Sequence, residues 1–385
     1  MSFATAKLAD VSPAKALKKK VVDASEITWH LNLDQVESQT GRVITEEIAS
    51  VSEAGNSTHW FDERHVLYSK LRPYLNKVVV PEKEGVATTE LVPMLPDPER
   101  LDRMYLAHYL RSNQFVNWVS AQVAGAKMPR VSMKVFWEHE IPLPPLDEQK
   151  RIAAILDKAD ALRRKRQQAI DLADQFLRSV FLDMFGDPVT NPKGWLMPPL
   201  KELSLVVTGN TPSRAAPENY GCGIEWIKSD NINTPLHYLT EAKERLSDTG
   251  LEKGRSVPCG SVLITCIAGS PQCIGNAAIA NRKVAFNQQI NALIPRESTT
   301  TEYLYSLALF GKKLIQGAST NSMKGMVSKG NLEQLKVPAP PLELQERYSG
   351  MFRDFLKKRR RLSDSIEHSE KLFFSLSQQA FSGQL

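Results

Sequence analysis

The sequence predicts an α+β chain of two globular halves in tandem, separated by two long helices that form an antiparallel coiled coil. Three observations predict it. PLPPLDEQKRI at 142–152 and PAPPLELQERY at 338–348 are near copies of one another. Each opens a long charged stretch with helical periodicity. The register between the copies, 338 − 142 = 196 residues, then carries through almost the whole chain.

Carried forward, that register pairs Arg163 and Arg164 with Arg359 and Arg360, Ile170 with Ile366, and Phe185 with Phe381. Carried backward, it pairs Val66-Leu67 with Val262-Leu263 and Val131-Ser132 with Val327-Ser328, while Ile27 and Trp29 meet Ile224 and Trp226 one residue out of step. A solenoid unit is roughly 20 to 50 residues long. A period of 196 residues therefore means two whole domains, each followed by its own helix.

The size agrees with the repeat: 385 residues make about two to three domains of roughly 150 residues, and 42% apolar residues suffice for a core in each half. A net charge of +6 and a pI near 9.0 suit a polyanionic partner without requiring one. No apolar run approaches the roughly 18 residues of a membrane span, and MSFATAKLADVSPAKALKKK has no signal-peptide core. The expected compartment is the cytoplasm, with no membrane partner. Cys222, Cys259, Cys266 and Cys273 all lie in the second half without a CxxC pair, which argues for buried thiols and against a metal site.

After each Pro-Pro-Leu the pattern becomes helical, because proline sets the first turn and cannot sit further in. Ile152, Ile155, Ala159, Leu162, Ala169, Ala173, Phe176 and Val180 recur at three- and four-residue steps in the first helix. Phe352, Phe355, Leu362, Ile366, Leu372, Leu376 and Ala380 do so in the second. Each run is about 33 residues without Gly or Pro, hence about 50 Å long. One apolar stripe on so long a helix needs a partner, and the other copy supplies it; two separate core helices are the alternative. A pseudo-twofold between the halves makes the pair antiparallel, a spacer with a head at each end. Its length exceeds one turn of B-DNA, about 34 Å. Arg163-Arg164-Lys165-Arg166 and Lys357-Lys358-Arg359-Arg360-Arg361 then face either phosphates or solvent.

The heads mix β-like runs, 77–80 and 261–264, with helical stretches at Met104 to Val119 and Tyr303 to Gln316. GAKMPRVS at 125–132 and NSMKGMVS at 321–328 carry the amides, hydroxyls and cations used on phosphates and base edges, though ordinary surface loops share that composition. GxxxxGK[ST], HExxH and GxSxG are absent, as is the Asn/Asp-Pro-Pro-Tyr/Phe tetrapeptide of amino-methyltransferases. Pro96-Asp97 with Glu241-Ala242-Lys243 fits a PD…ExK nuclease pattern only across a large gap. The pattern is that of a reader, without a catalytic residue of its own.

The Pro-Pro-Leu-x-x-Gln-x-Arg motif at 144–151 and 340–347 resembles the conserved regions of specificity (S) subunits of type I restriction-modification enzymes. TGNTPSRAAPENYGCGIEWIKSDNIN at 208–233 is similar to the opening of that family's target recognition domains, and YSKLRPYLNKVVV at 68–80 with GVATTELVPMLP at 85–96 to their middle. The first half departs from the pattern, with WHLNLDQVESQTGR at 29–42 in place of the TGNTPS opening. The two heads should therefore read different sequences.

The resemblance implies target recognition domains at 1–147 and 187–342, a central conserved helix at 148–186 and a C-terminal one at 343–385. It implies a non-catalytic subunit that reads an asymmetric bipartite site in double-stranded DNA through the major groove, one domain per half-site. Two methyltransferase (M) subunits and motor-nuclease (R) subunits are the implied partners. They, and not this chain, would use S-adenosylmethionine, ATP and Mg. Within that frame the candidates for base and phosphate contact are Lys70, Arg72, Lys77, Lys127, Arg130 and Ser132 in the first head. In the second they are Thr211, Ser213, Arg214, Lys228, Asn231, Lys324 and Ser328, with Asn287-Gln288-Gln289 suited to bidentate pairing with adenine. The competing reading is a coiled-coil scaffold whose heads bind proteins without DNA specificity.

Overall fold

The computed structural model describes residues 3–18, 25–54, 58–124, 127–319 and 325–385. The chain divides into two compact units, Met1–Gln168 with Ser363–Leu385, and Ala169–Leu362. Each unit holds one head and one half of each long helix.

In the first unit a four-stranded sheet runs in the order Glu47–Ser50, Ile27–Leu31, Gly85–Thr88, Thr58–Phe61. Only the Ile27–Leu31 and Gly85–Thr88 pair is parallel, with Trp29 opposite Gly85. A three-stranded antiparallel sheet orders Val78–Val79, Val66–Ser69 and Leu91–Met94. The second unit repeats the plan. Tyr220–Ile227 is parallel to Val284–Phe286, with Trp226 opposite Ala285, and Val262–Thr265 lies antiparallel between Ile290–Pro295 and Ala277–Ile279. All four residues of Val66–Ser69 and of Val262–Thr265 are buried, so both strands open on a continuous apolar run, 66–68 and 262–264, and close on a hydroxyl residue, without alternation.

One strand differs. In the second unit Ser204–Thr208 adds an edge to Ile290–Pro295, Val207 opposite Ala292. In the first, among the described residues, a single bridge, Ala14 with Met94, stands there. Pro93 accounts for it: its carbonyl accepts from the Lys15 amide at 3.0 Å, but it has no N–H to return.

The stretches at Met104 to Val119 and Tyr303 to Gln316 are helical as expected, each as two consecutive helices. Ser112 is extended (φ −66°, ψ 148°) and caps the second piece by accepting from the Phe115 amide; Gly311 separates Thr301–Phe310 from Lys312–Gly317. A hydroxyl that satisfies a free helical amide, or a residue without Cβ, makes such a break cheap.

The long helices span Leu146–Phe185 and Leu342–Ser382, 40 and 41 residues. Both exceed the expected 33 because they start directly after the proline pair, and the second continues through Gly350, which nothing crowds. They run antiparallel within each unit. In the first, the Arg163 guanidinium lies 5.5 Å from the centre of the Phe373 ring and Arg166 donates to the Ser365 carbonyl at 2.8 Å. In the second, Arg359 holds Asp174 through two bonds of 2.8 and 3.1 Å, and Phe181 packs on Tyr348.

The seam differs from the expected stripe. Leu162, Phe176 and Leu372 are 44%, 65% and 53% exposed. The covered positions are Ile152, Leu156, Ala159, Arg163, Arg166, Ile170, Ala173 and Leu177, against Phe352, Phe355, Arg359, Leu362, Ile366, Ser369, Phe373, Leu376 and Ala380. Alternating steps of three and four are the heptad spacing of a coiled coil. Arg163, Arg166 and Arg359 thus belong to the seam, where their methylene stems supply apolar surface and their guanidinium groups find a carboxylate or carbonyl. They are not free for phosphates; Arg164, Lys165, Lys357, Lys358, Arg360 and Arg361 stay exposed.

The repeated glutamine of the motif has a definite task. Gln149 is fully buried; its amide nitrogen donates to the Arg100 and Pro144 carbonyls, and its oxygen accepts from the Asp102 amide at 2.8 Å. Gln345 repeats this with the Ser298 and Pro340 carbonyls, the Thr300 amide and the Thr299 hydroxyl. Asp102 and Thr300 are the N-caps of Arg103–Arg111 and Thr301–Phe310. In both units the same buried amide locks the start of a long helix to the start of the main helix of the head.

Candidate nucleic-acid interface

In the second head the TGNTPS segment follows the strand Ser204–Thr208 and lies against the turn at 286–289. The Asn210 amide donates to the Phe286 carbonyl at 3.1 Å. A Cβ on Gly209 would stand 2.2 Å from the Asn287 carbonyl oxygen, so only glycine permits the approach. The Thr211 hydroxyl bonds to Gln288 Oε1, and both side chains are exposed. Tyr220 Oη donates to the Pro212 carbonyl, and Trp226 Nε1 to the Asn210 carbonyl at 3.3 Å.

This loop sets Arg214 over two rings, 4.6 Å from the centre of Tyr220 and 5.2 Å from that of Trp226. Lys228 covers the same Trp226 ring at 5.3 Å. Both cations meet one carboxylate: Arg214 Nη2 lies 2.7 Å from Glu244 Oε2, and Lys228 Nζ bonds Oε1. The Lys228 hydrogen bond, reinforced by that of Arg214, holds the Glu244 carboxyl below its usual range. Thr211, Ser213, Arg214, Lys228 and Gln288 are thereby gathered on one ledge around a buried tryptophan.

Other residues singled out from the sequence are occupied by the fold. Asn231 is buried, and its amide accepts from the Lys228 backbone and donates to Thr240 and to the Glu241 carbonyl. Asn287 closes its own turn against Gln289. Ser328 caps Lys329–Gln334 by accepting from the Asn331 amide. Lys324 lies outside the described residues.

In the first head, residues 70–72 bond to 129–131: the Val131 amide donates to the Lys70 carbonyl and the Arg72 amide to the Pro129 carbonyl. Lys70, Arg72 and Arg130 are brought together with Glu90, which Arg130 grips through Nε and Nη2 at 3.2 and 2.9 Å. Arg72 is exposed and left-handed (φ 48°). Lys127 and Ser132 are exposed near by in the chain, and Ser132 precedes Met133–Trp137 without capping it. Lys77 is turned inward, donating to the Leu33 carbonyl at 2.6 Å, and burial lowers its pKa.

Glu46, Lys83 and Glu244 were not singled out from the sequence. Lys83 covers the Trp29 ring at 5.3 Å and pairs with Glu46 at 2.5 Å, beside a groove of about 600 Å³ that Trp29, Arg42, Arg103 and Arg111 also line. The alignment of Trp29 with Trp226 was the available signal; the charged lids come from different places in the two heads and leave none. Trp29 Nε1 is buried without a partner among the described residues, where Trp226 has the Asn210 carbonyl. That difference follows from the missing TGNTPS opening.

Among the described residues no three His, Cys, Asp or Glu side chains gather as metal ligands, and no helix is long and apolar enough to cross a membrane. The chain matches the family described as Type I restriction modification DNA specificity domain over residues 65–172 and 192–368. It is 25% identical over 167 residues to the EcoDI specificity subunit of Escherichia coli, covering 42% of this chain and 37% of that one. It is 30% identical over 141 residues to the HindI specificity subunit of Haemophilus influenzae, covering 36% and 28%. These matches thus span well under half of either relative. A longer match, 22% identical, joins 76% of the chain to 73% of the MjaVIII specificity subunit of Methanocaldococcus jannaschii. In fold it is similar to a chain solved in work on complex assembly and conformational transition of the type I R-M system, with a TM-score of 0.61, 20% identity and coverage of 100% and 98%. The S subunit of a type I system from M. genitalium gives 0.58 at 14% identity, covering 98% and 96%. With both halves matched, the chain belongs to the family of type I restriction modification DNA specificity domains.

Proposed function

We propose that the chain is the DNA-reading subunit of a type I restriction-modification complex, each head reading one half of an asymmetric bipartite site in double-stranded DNA. The observation that carries this is a shared frame with unlike ledges. Lys70, Arg72 and Arg130 of the first head fall, at the 196-residue register, on Cys266, Ala268 and Met326 of the second. The second head uses Thr211, Arg214, Lys228 and Gln288 instead. Cations in such ledges bind phosphates of any sequence or guanine edges, and amides and hydroxyls add contacts to other base edges.

The chain contributes no catalytic group. Methyltransferase subunits, two per complex, dock on the long helices and use S-adenosylmethionine; motor-nuclease subunits add ATP- and Mg-dependent restriction, all in the cytoplasm. The deciding experiment is the adenine methylome of the host with and without this gene. Loss of one interrupted motif on deletion supports the reading and gives both half-sites. An unchanged methylome while the gene and its neighbours are expressed would overturn it in favour of a protein-binding scaffold.

A further inference from the structure

Each head carries the same three-part arrangement around the tryptophan of its central strand. Trp29 is capped by Lys83, which pairs with Glu46; Trp226 is capped by Lys228, which pairs with Glu244 and shares it with Arg214. The glutamates each come just before the strand beside the tryptophan strand, Glu47–Ser50 and Arg245–Leu246, but at different positions: the Trp226 amide donates to the Glu244 carbonyl, whereas Trp29 stands opposite Ile48, two residues past Glu46. The lysines do not match either. Lys83 lies in the turn before Gly85–Thr88, whereas Lys228 directly follows Tyr220–Ile227. A lysine–glutamate pair assembled from non-equivalent positions over the tryptophan of each head is more than the inherited repeat supplies.

The pairs are also exposed. Side chains of Glu46 and Lys83 are 53% and 47% accessible, those of Glu244, Lys228 and Arg214 36%, 34% and 57%. Ion pairs this open to water contribute little to folding, so an incoming anion displaces the carboxylate at small cost. A carboxylate held bidentately by an arginine and a lysine presents two oxygens to cations, as a phosphodiester does.

We propose that Glu46 and Glu244 are built-in phosphate surrogates that hold the cations of each head until a DNA backbone phosphate replaces them, and so suppress binding to non-target DNA. This rests on the DNA-reading function proposed above. On random duplex the exchange of one anion for another yields little net attraction, and the ledge stays closed. On the target, base-edge contacts supply what drives the exchange. Glu244, between two cations, is the stronger of the two surrogates.

The test is binding of the full-length chain to a random-sequence duplex and to its methylome-derived target, by fluorescence anisotropy across a salt series. E244Q should tighten random-duplex binding roughly three- to tenfold near 0.1 M salt and steepen the log–log salt slope by about one, with a smaller gain on the target; E46Q should do the same more weakly. E297Q removes the same charge from an exposed glutamate outside the cluster. If E244Q shifts binding no more than E297Q while the wild type binds duplex with normal salt dependence, the surrogate role is wrong and the DNA reading stands. A wild type that binds neither duplex in a salt-dependent way overturns the DNA reading itself. Circular dichroism melting of E244Q within a degree or two of the wild type keeps a folding defect from imitating either result.

Discussion

The two heads share their frame down to single hydrogen bonds, and each sets a lysine–glutamate pair over a tryptophan, yet their other candidate contact residues differ. Tyr105 Oη donates to the Pro142 carbonyl at 3.0 Å and Tyr303 Oη to the Pro338 carbonyl at 2.7 Å. Gln149 and Gln345 lock the same two helix starts. Yet the strip containing Lys70, Arg72 and Arg130 in one head is Cys266, Ala268 and Met326 in the other. Buried donors and acceptors must be satisfied in any version of the fold, so the frame resists change. Exposed loop residues bear no such constraint and are free to encode different readings.

Removing the frame should hurt both heads alike. Phe185 packs on Tyr303 and Tyr348 in the second unit, and Phe381 on Tyr105 and Tyr109 in the first. F185A or F381A should each cost about 3–5 kcal/mol, read by urea unfolding of the full chain; a cost below about 1 kcal/mol at either would break the equivalence. Gln149→Ala and Gln345→Ala strand buried amides and should cost about 2–3 kcal/mol each, with faster hydrogen exchange at the start of Arg103–Arg111 and of Thr301–Phe310 respectively.

Removing ledge residues should separate the heads. Gln288→Ala should weaken target binding by about 1–3 kcal/mol with the loss confined to the second half-site, as a base-reading amide does. Arg214→Ala or Lys228→Ala should each weaken it by roughly 1 kcal/mol whatever the bases of that half-site, as lost phosphate contacts do. Arg72→Ala should weaken all sequences together by roughly 1 kcal/mol, as phosphate contacts do. Unchanged affinity in R214A and K228A would remove that ledge from the interface.

The smallest effect expected is on acid stability. Burial pushes the Asp62 carboxyl up, but bonds from Arg64 and His65 outweigh it and hold it down to about 2. Its unfolded value is near 3.8, so its contribution is complete above about pH 4 and is lost as pH falls through about 2. Asp62→Asn should flatten that step, seen in exchange protection of Val66–Ser69, and leave Val262–Thr265 unchanged, because Pro258 stands at the matching position there.

The coiled-coil pair was legible because its apolar residues recur, but the seam was misjudged by part of a turn. Leu162, Phe176 and Leu372 looked like core by residue type and face water, while Arg163, Arg166 and Arg359 looked like surface and are covered. Residue type is a poor guide for long amphipathic side chains, whose stems and heads belong in different places. Asn231, Asn287 and Ser328 bond within the fold in this structure: amides and hydroxyls in turns close backbone as readily as they read bases. Nothing in a one-dimensional pattern separates those uses.

By itself the sequence determined the tandem repeat, the antiparallel helix pair and the family, because duplication, proline-bounded periodicity and a glutamine at a fixed offset are local or register-based signals. Only the tertiary structure decided which cations remain on the surface, and that Glu46 and Glu244 each pair with a lysine lying over the tryptophan of its own head. Those partners come from well separated places in the chain, as Lys83 and Trp29 do. Such meetings depend on how strands pair, and the spacing of residues along the chain does not record it.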